Sequence, residues 1–243
     1  METMENKSWK NNKNYIYYAS CVENKLPLSE NFIELNINNI DWKYISKYQV
    51  LEHNLLKKYC NYVDWKLVSK YQTITEDIMD DFYDKLDWDY ITYKYNLSEN
   101  TIRKYQNYVI WKNICKYSWL SEDFIREFEN HVVWNHIFLF QQLTENFIIE
   151  YKKKLSKYVT KSNNCIMNDM LRKKKYSAKF LEEMKDIINW NIAIEYQDIP
   201  EYLLDEYQNM IDWEKLSQYH KLSEHFMEKY QNKIHWKYIA RYQ

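Results

Sequence analysis

Tryptophan recurs at a fixed interval along this chain, and the interval decides what the chain can fold into. Trp42, Trp65, Trp88, Trp111 and Trp134 stand 23 residues apart, and Trp190, Trp213 and Trp236 resume the same step after an interruption. A period of that size marks an array of supersecondary units rather than one closed globular core. Fourteen residues before each Trp stands Leu28, Leu51, Ile74, Leu97, Leu120, Tyr176, Ile199 or Leu222. A further copy begins at Leu143, with Lys157 in the Trp position, so nine copies fill residues 28–243.

Each recurring position carries a local signal. The second residue of a copy is Ser or Thr at Ser29, Thr75, Ser98, Ser121, Thr144, Ser177 and Ser223, hydroxyls suited to capping a helix start. Glu usually follows, where an acid suits the positive end of the helix dipole. Pro200 replaces one cap, and a helix start is where proline is tolerated. Apolar residues then fall at spacings of one, four and eight, as at Phe124, Ile125, Phe128 and Val132, and predict a helix A of about 11 residues. Four residues before each Trp comes Asn38, Asn61, Asp84, Asn107, Asn130, Asp186, Asn209 or Asn232. Helices often end on a left-handed residue, Gly or else Asn, so these are read as helix C-caps standing in for glycine. Asp41, Asp64, Asp87, Asn189 and Asp212 directly precede a Trp and can cap a helix B of about 7–8 residues. Within it an apolar residue follows three after the Trp and usually an aromatic three later, as at Ile45 and Tyr48, before Gln and a short turn.

Helices this short do not persist alone in water. A buried Trp side chain removes about 150–250 Å² from solvent, on the order of 4–6 kcal/mol before entropy costs. One hairpin cannot cover its own Trp, but its neighbour can. The expected fold is therefore all-α, an α-solenoid of short helix–turn–helix repeats without β-sheet. The eight Trp read as structural core rather than as a ligand platform.

The unit typified by LSEDFIREFENHVVWNHI and NIDWKYISKYQ resembles the tryptophan-containing helical repeats of about this length in proteins of giant DNA viruses. The resemblance covers residues 28–243 and implies an α-solenoid and a viral origin, with no assigned activity. Lys157 and the extra residues after it depart from the pattern.

The organisation expected is an N-terminal cap over 1–27, five regular repeats over 28–142, a degenerate sixth repeat with a basic ten-residue insertion over 143–175, and three regular repeats over 176–243. In the cap, Trp9, Tyr15, Ile16, Tyr17 and Tyr18 are expected to form a helix covering the first copy. In the sixth repeat, Cys165 to Leu171 is expected to replace helix B, packing Ile166, Met170 and Leu171. Lys152, Lys153, Lys154, Lys157, Lys161, Arg172, Lys173, Lys174 and Lys175 make this segment basic. They are the candidate anion- or partner-binding residues, set against a simpler reading as a solvated joint between two sub-arrays. The last copy ends without a polar cap, so that end is expected either to tolerate exposure or to meet another molecule.

Composition narrows the function. With no glycine in the chain there is no Walker loop, no GxGxxG and no GxSxG elbow. Basic and acidic residues number 34 and 35, so net charge gives no argument for nucleic acid. Cys21, Cys60, Cys115 and Cys165 form no CxxC and read as reduced structural residues of an intracellular protein, in host cytoplasm or virion if the origin is viral. His131 and His136, like His220 and His225, are five apart, which suits a surface rather than the four-residue step of a zinc helix. No secretory leader or membrane span is expected. The reading is a non-enzymatic scaffold with no cofactor and no metal, binding a protein partner on the solenoid surface. The alternative is a helical-repeat binder of nucleic acid or another anionic surface through the basic insertion.

Overall fold

The computed structural model describes residues 13–158 and 166–242, and these fall into two compact units, Met1–Ser118 and Trp119–Gln243. The described residues form helices and turns, with no strand among them.

In the first unit, α1 (Lys13–Asn24) precedes four helical hairpins. These are α2 (Glu30–Leu35) with α3 (Trp42–Tyr48), α4 (His53–Lys58) with α5 (Trp65–Tyr71), α6 (Glu76–Phe82) with α7 (Trp88–Lys94), and α8 (Glu99–Lys104) with α9 (Trp111–Tyr117). The second unit opens with α10 (Glu122–Glu127) and α11 (Trp134–Phe140), then α12 (Glu145–Glu150), a short α13 (Lys152–Ser156) and α14 (Ile166–Lys173). It continues with α15 (Ala178–Glu183) and α16 (Trp190–Tyr196), α17 (Glu201–Glu206) and α18 (Trp213–Tyr219), α19 (Glu224–Lys229) and α20 (Trp236–Tyr242). Successive B-type helices pack on one another, α3 on α5, α5 on α7 and α7 on α9 in the first unit, α11 on α14, α14 on α16, α16 on α18 and α18 on α20 in the second. Each unit is a helical-repeat stack, and the fold class is an all-α solenoid.

The helix starts follow from the caps. All seven Ser and Thr hydroxyls accept an N–H three residues on, from Ser29 with Phe32 at 3.2 Å to Ser223 with Phe226 at 3.1 Å. Asp41, Asp64, Asp87, Asn189 and Asp212 cap their B-type helices by accepting an N–H two or three residues on. Pro200 opens α17 at φ −62° with no side-chain cap bond.

The helix ends differ from the sequence reading. The A-type helices run 6–7 residues rather than 11, and they end on an aromatic, Met or Asn such as Tyr59, at φ −112° and ψ 21°. That residue's carbonyl then accepts N–H groups three and four residues on, as Tyr59 does from Tyr62 at 2.9 Å and Val63 at 3.2 Å. The same turn recurs in every copy, and it places Asn38, Asn61, Asp84, Asn107, Asn130, Asp186, Asn209 and Asn232 at its third position, all exposed. Among the described residues only Lys25 has positive φ, so these eight are not left-handed C-caps. A turn of the type I sense takes its third residue through the bridge region, where a short polar side chain can bond local backbone. The apolar residue two before each Trp, such as Val63 or Val132, stays buried because the turn continues the helical sense.

Tryptophan ties the turn and reaches the next copy. The indole N–H donates to the carbonyl five residues back at Trp42, Trp65, Trp88, Trp111, Trp134, Trp213 and Trp236, over 2.7–3.2 Å. The ring lies against the aromatic 17 residues on, Trp42 on Tyr59 at 5.1 Å, Trp65 on Phe82 at 4.7 Å, Trp88 on Tyr105 at 5.0 Å, and likewise in the second unit. Neighbouring copies thus cover one another. The cover is incomplete: Trp88, Trp134 and Trp190 are buried, Trp42, Trp65, Trp111 and Trp213 half-buried, and Trp236 is 51 % exposed. The deepest position lies three residues further on, where Ile45, Val68, Ile91, Ile114, Ile137, Ala193 and Leu216 are wholly enclosed. At the N-terminus α1 buries Tyr18 and Cys21 against the first copy, and the Tyr18 hydroxyl accepts the Asp41 N–H at 2.8 Å. Ile16 and Tyr17 are exposed, and Trp9 lies outside the described residues.

Candidate binding surfaces

The polar residues of the repeat are mostly spent on joining copies. The Gln ending helix B is a clamp. Gln72 accepts the Leu51 N–H at 3.0 Å through Oε1, while its Nε2 donates to the Ser46 and Gln49 carbonyls at 3.0 and 2.7 Å. Gln49, Gln141 and Gln197 accept the N–H groups of Leu28, Leu120 and Tyr176 in the same way. Four residues after the Trp, Ser46, Ser69 and Ser217 each accept the N–H that opens the next copy's helix B. The first-turn glutamates, read as dipole partners, also reach forward: Glu122 accepts the Thr144 N–H at 2.6 Å and Glu201 the Ser223 N–H at 2.5 Å. Asp80 takes Lys104 and Tyr105 of the next copy, and Asp205 takes Lys229 and Tyr230. The ammonium and then the phenol hold both carboxyls below the usual carboxylate range.

The surface left over is the edge where B-type helices end. A groove lies there between successive copies, about 520 Å³ around Tyr48 and Tyr71, 460 Å³ around Leu143 and Lys174, and 530 Å³ around Pro200 and His220. In the first unit Tyr48, Tyr71, Tyr93 and Tyr117 stand exposed along this edge. Lys47 sits 4.8 Å over Tyr48 and 5.1 Å over Tyr71, Lys70 5.4 Å over Tyr71, and Lys116 5.0 Å over Tyr117. Lysines of the A-type helices meet carboxylates, as Lys58 does at Glu30 and Lys57 at Asp81.

The basic residues of the sixth repeat are dispersed over several neighbours. Lys152 pairs with Asp186, Arg172 with Asp169 at 3.5 Å, and Lys175 with Asp198 at 2.9 Å. Lys154 lies 5.2 Å over the Trp134 ring. Lys174 donates to the Leu143 carbonyl at 3.4 Å and lies 5.3 Å over Tyr176, whose hydroxyl burial pushes up to about 12. Lys153, Lys157 and Lys173 are exposed with no such partner among the described residues, and Lys161 lies outside those residues. Helix α14 takes the place of helix B, with Ile166, Met167, Met170 and Leu171 buried, while Cys165 falls outside the described residues. Counting 23 back from Trp190 puts the wholly enclosed Met167, not Lys157, in the indole's place.

His220 is half-buried at a groove floor rather than on the surface, and burial pushes its pKa down. His53 meets Asp81 at 2.5 Å on the A-type face. Among the described residues no three His, Cys, Asp or Glu side chains are grouped to hold a metal, and no helix is long and apolar enough to cross a membrane. No family model, curated protein or solved structure matches the chain.

Proposed function

We propose that this chain is a non-enzymatic intracellular scaffold that docks a protein partner along the edge where B-type helices end. The observation carrying this reading is the exposed tyrosine row Tyr48, Tyr71, Tyr93 and Tyr117, with lysines laid over three of the four rings. Tyrosine offers large contact area with few rotatable bonds, and interfaces are enriched in it. Many of the other recurring polar side chains already join neighbouring copies, as Gln72, Ser46 and Glu122 do. A viral setting, as implied by the repeat's resemblance, fits a scaffold equally well. The test replaces Tyr48, Tyr71 and Tyr93 by Ala together. Cross-linking and mass spectrometry in the native cell are expected to lose the partners seen with the wild-type chain, and unchanged partners would remove the reading.

A second reading, binding of nucleic acid or another anionic surface, is favoured by the exposed Lys153, Lys157 and Lys173. It requires retardation of nucleic acid at low salt that weakens steeply as salt rises. No retardation at low salt eliminates it.

A further inference from the structure

The clamp position of the sixth copy carries the wrong chemistry for a clamp. In four copies a Gln Oε1 accepts the N–H at the start of the copy, as Gln141 does for Leu120 at 3.1 Å and Gln197 for Tyr176 at 2.8 Å, while Tyr95, Ser118 and His220 hold the position in three others. Here the residue is Lys174, and an ammonium has three donors and no acceptor. Lys174 donates to the Leu143 carbonyl instead. The Leu143 N–H, on a residue only 8 % exposed, is left without an acceptor among the described residues.

The surroundings add charge of one sign. The preceding residue, where five copies place an exposed aromatic (Tyr48, Tyr71, Tyr117, Phe140 and Tyr219), is the exposed Lys173. Both lysines border the 460 Å³ groove, whose walls include Phe138, Leu139, Ile148 and Met170. No carboxylate lines it, whereas the equivalent grooves hold Glu52 and Asp77, or Glu195 and Asp198. The acids of adjoining elements are already engaged: Glu145 accepts the Ser177 N–H at 2.8 Å and Asp198 pairs with Lys175.

We infer that this groove is a binding site for a carboxylate carried on a short apolar group. One carboxylate oxygen supplies the acceptor that glutamine supplies in four other copies, taking the Leu143 N–H, while Lys173 and Lys174 balance its charge. The apolar group lies against Phe138, Leu139 and Met170. Such a carboxylate comes either from a free aliphatic acid or from the C-terminus of a peptide ending in an aliphatic residue. The site stands whether or not the tyrosine edge docks a partner.

The test is calorimetric titration of the full chain with hexanoate, and with an N-acetylated peptide ending in leucine as free acid and as amide. Wild type is expected to bind at least one of the two acids saturably and not the amide. The tighter acid identifies the source. Lys174→Gln rebuilds the clamp, so it is expected to fold with raised stability and to bind about tenfold or more weakly, the loss of a charge-assisted hydrogen bond. Lys153→Gln, a charge removed from outside the groove, is expected to bind as wild type does. The inference is overturned if wild type binds neither acid, if the amide binds as well as the acid, or if Lys174→Gln leaves binding intact. It is also overturned if Lys153→Gln weakens binding as much as Lys174→Gln.

Discussion

At the residue scale, each copy is held by side chains whose value lies in a bond rather than in bulk. Gln72 satisfies one N–H and two carbonyls that are otherwise buried. Gln72→Ala is expected to cost about 2–4 kcal/mol in urea unfolding, because the orphaned groups keep their desolvation penalty. Trp190 is the converse case: buried to 2 % exposure, its indole N–H has no partner among the described residues. Trp190→Phe is therefore expected to be at least about 1 kcal/mol less costly than Trp88→Phe, which breaks the bond to Tyr83. His220 replaces the clamp glutamine, and burial lowers its pKa. A histidine lowered in the folded state stabilises the fold in its neutral form. That contribution is full above the unfolded value near 6.5 and is lost as pH falls through the lower folded value. The urea midpoint of the second unit is expected to drop between about pH 7.5 and 5.5, and His220→Gln to flatten that drop. These bonds were not legible in the sequence. Gln recurs visibly, but its partners stand 21–26 residues away, and spacing alone does not say which backbone groups a side chain meets.

At the element scale the start of each helix was legible and the end was not. A hydroxyl before an acid and an apolar pair acts within three residues, so Ser29 or Thr144 announces its cap locally. The Asn four before each Trp was equally regular and was read with the wrong sign of φ. Asn serves both left-handed caps and right-handed turns, and only the hydrogen bonds of the turn separate them. The distinction is measurable. At a left-handed residue Asn→Gly relieves strain, whereas at a negative φ it only adds freedom to the unfolded chain. Asn107→Gly is expected to destabilise the first unit by about 0.5–1 kcal/mol. A gain in stability would restore the left-handed reading. The basic insertion was legible as composition, but not its dispersal onto Asp186, Trp134 and Asp198, which sit in other copies.

At the scale of the whole molecule the bonds between copies share one register. Rings meet 17 residues ahead, clamps reach 21 and 23 behind, and caps are met 22 ahead. Removing Leu51–Thr73 brings Phe82 to the place of Tyr59 beneath Trp42 and the Asp87 N–H to that of Asp64 beside Ser46. The shortened chain is expected to keep its helical circular dichroism per residue and to lose stability by roughly one copy's share, as nearest-neighbour arrays do. Collapse to an unfolded chain would show that the copies are not interchangeable.

The sixth copy alone combines a missing indole with a longer link. In seven of the eight hairpins that carry a Trp, Trp190's being the exception, an indole hydrogen bond staples the short link between the two helices, and a longer link there would tear the staple. Met167 cannot form that staple, and it is in this same copy that the link has grown by ten residues. A hairpin without the latch can carry a longer link at no cost in that bond, and the ten extra residues lie in such a hairpin.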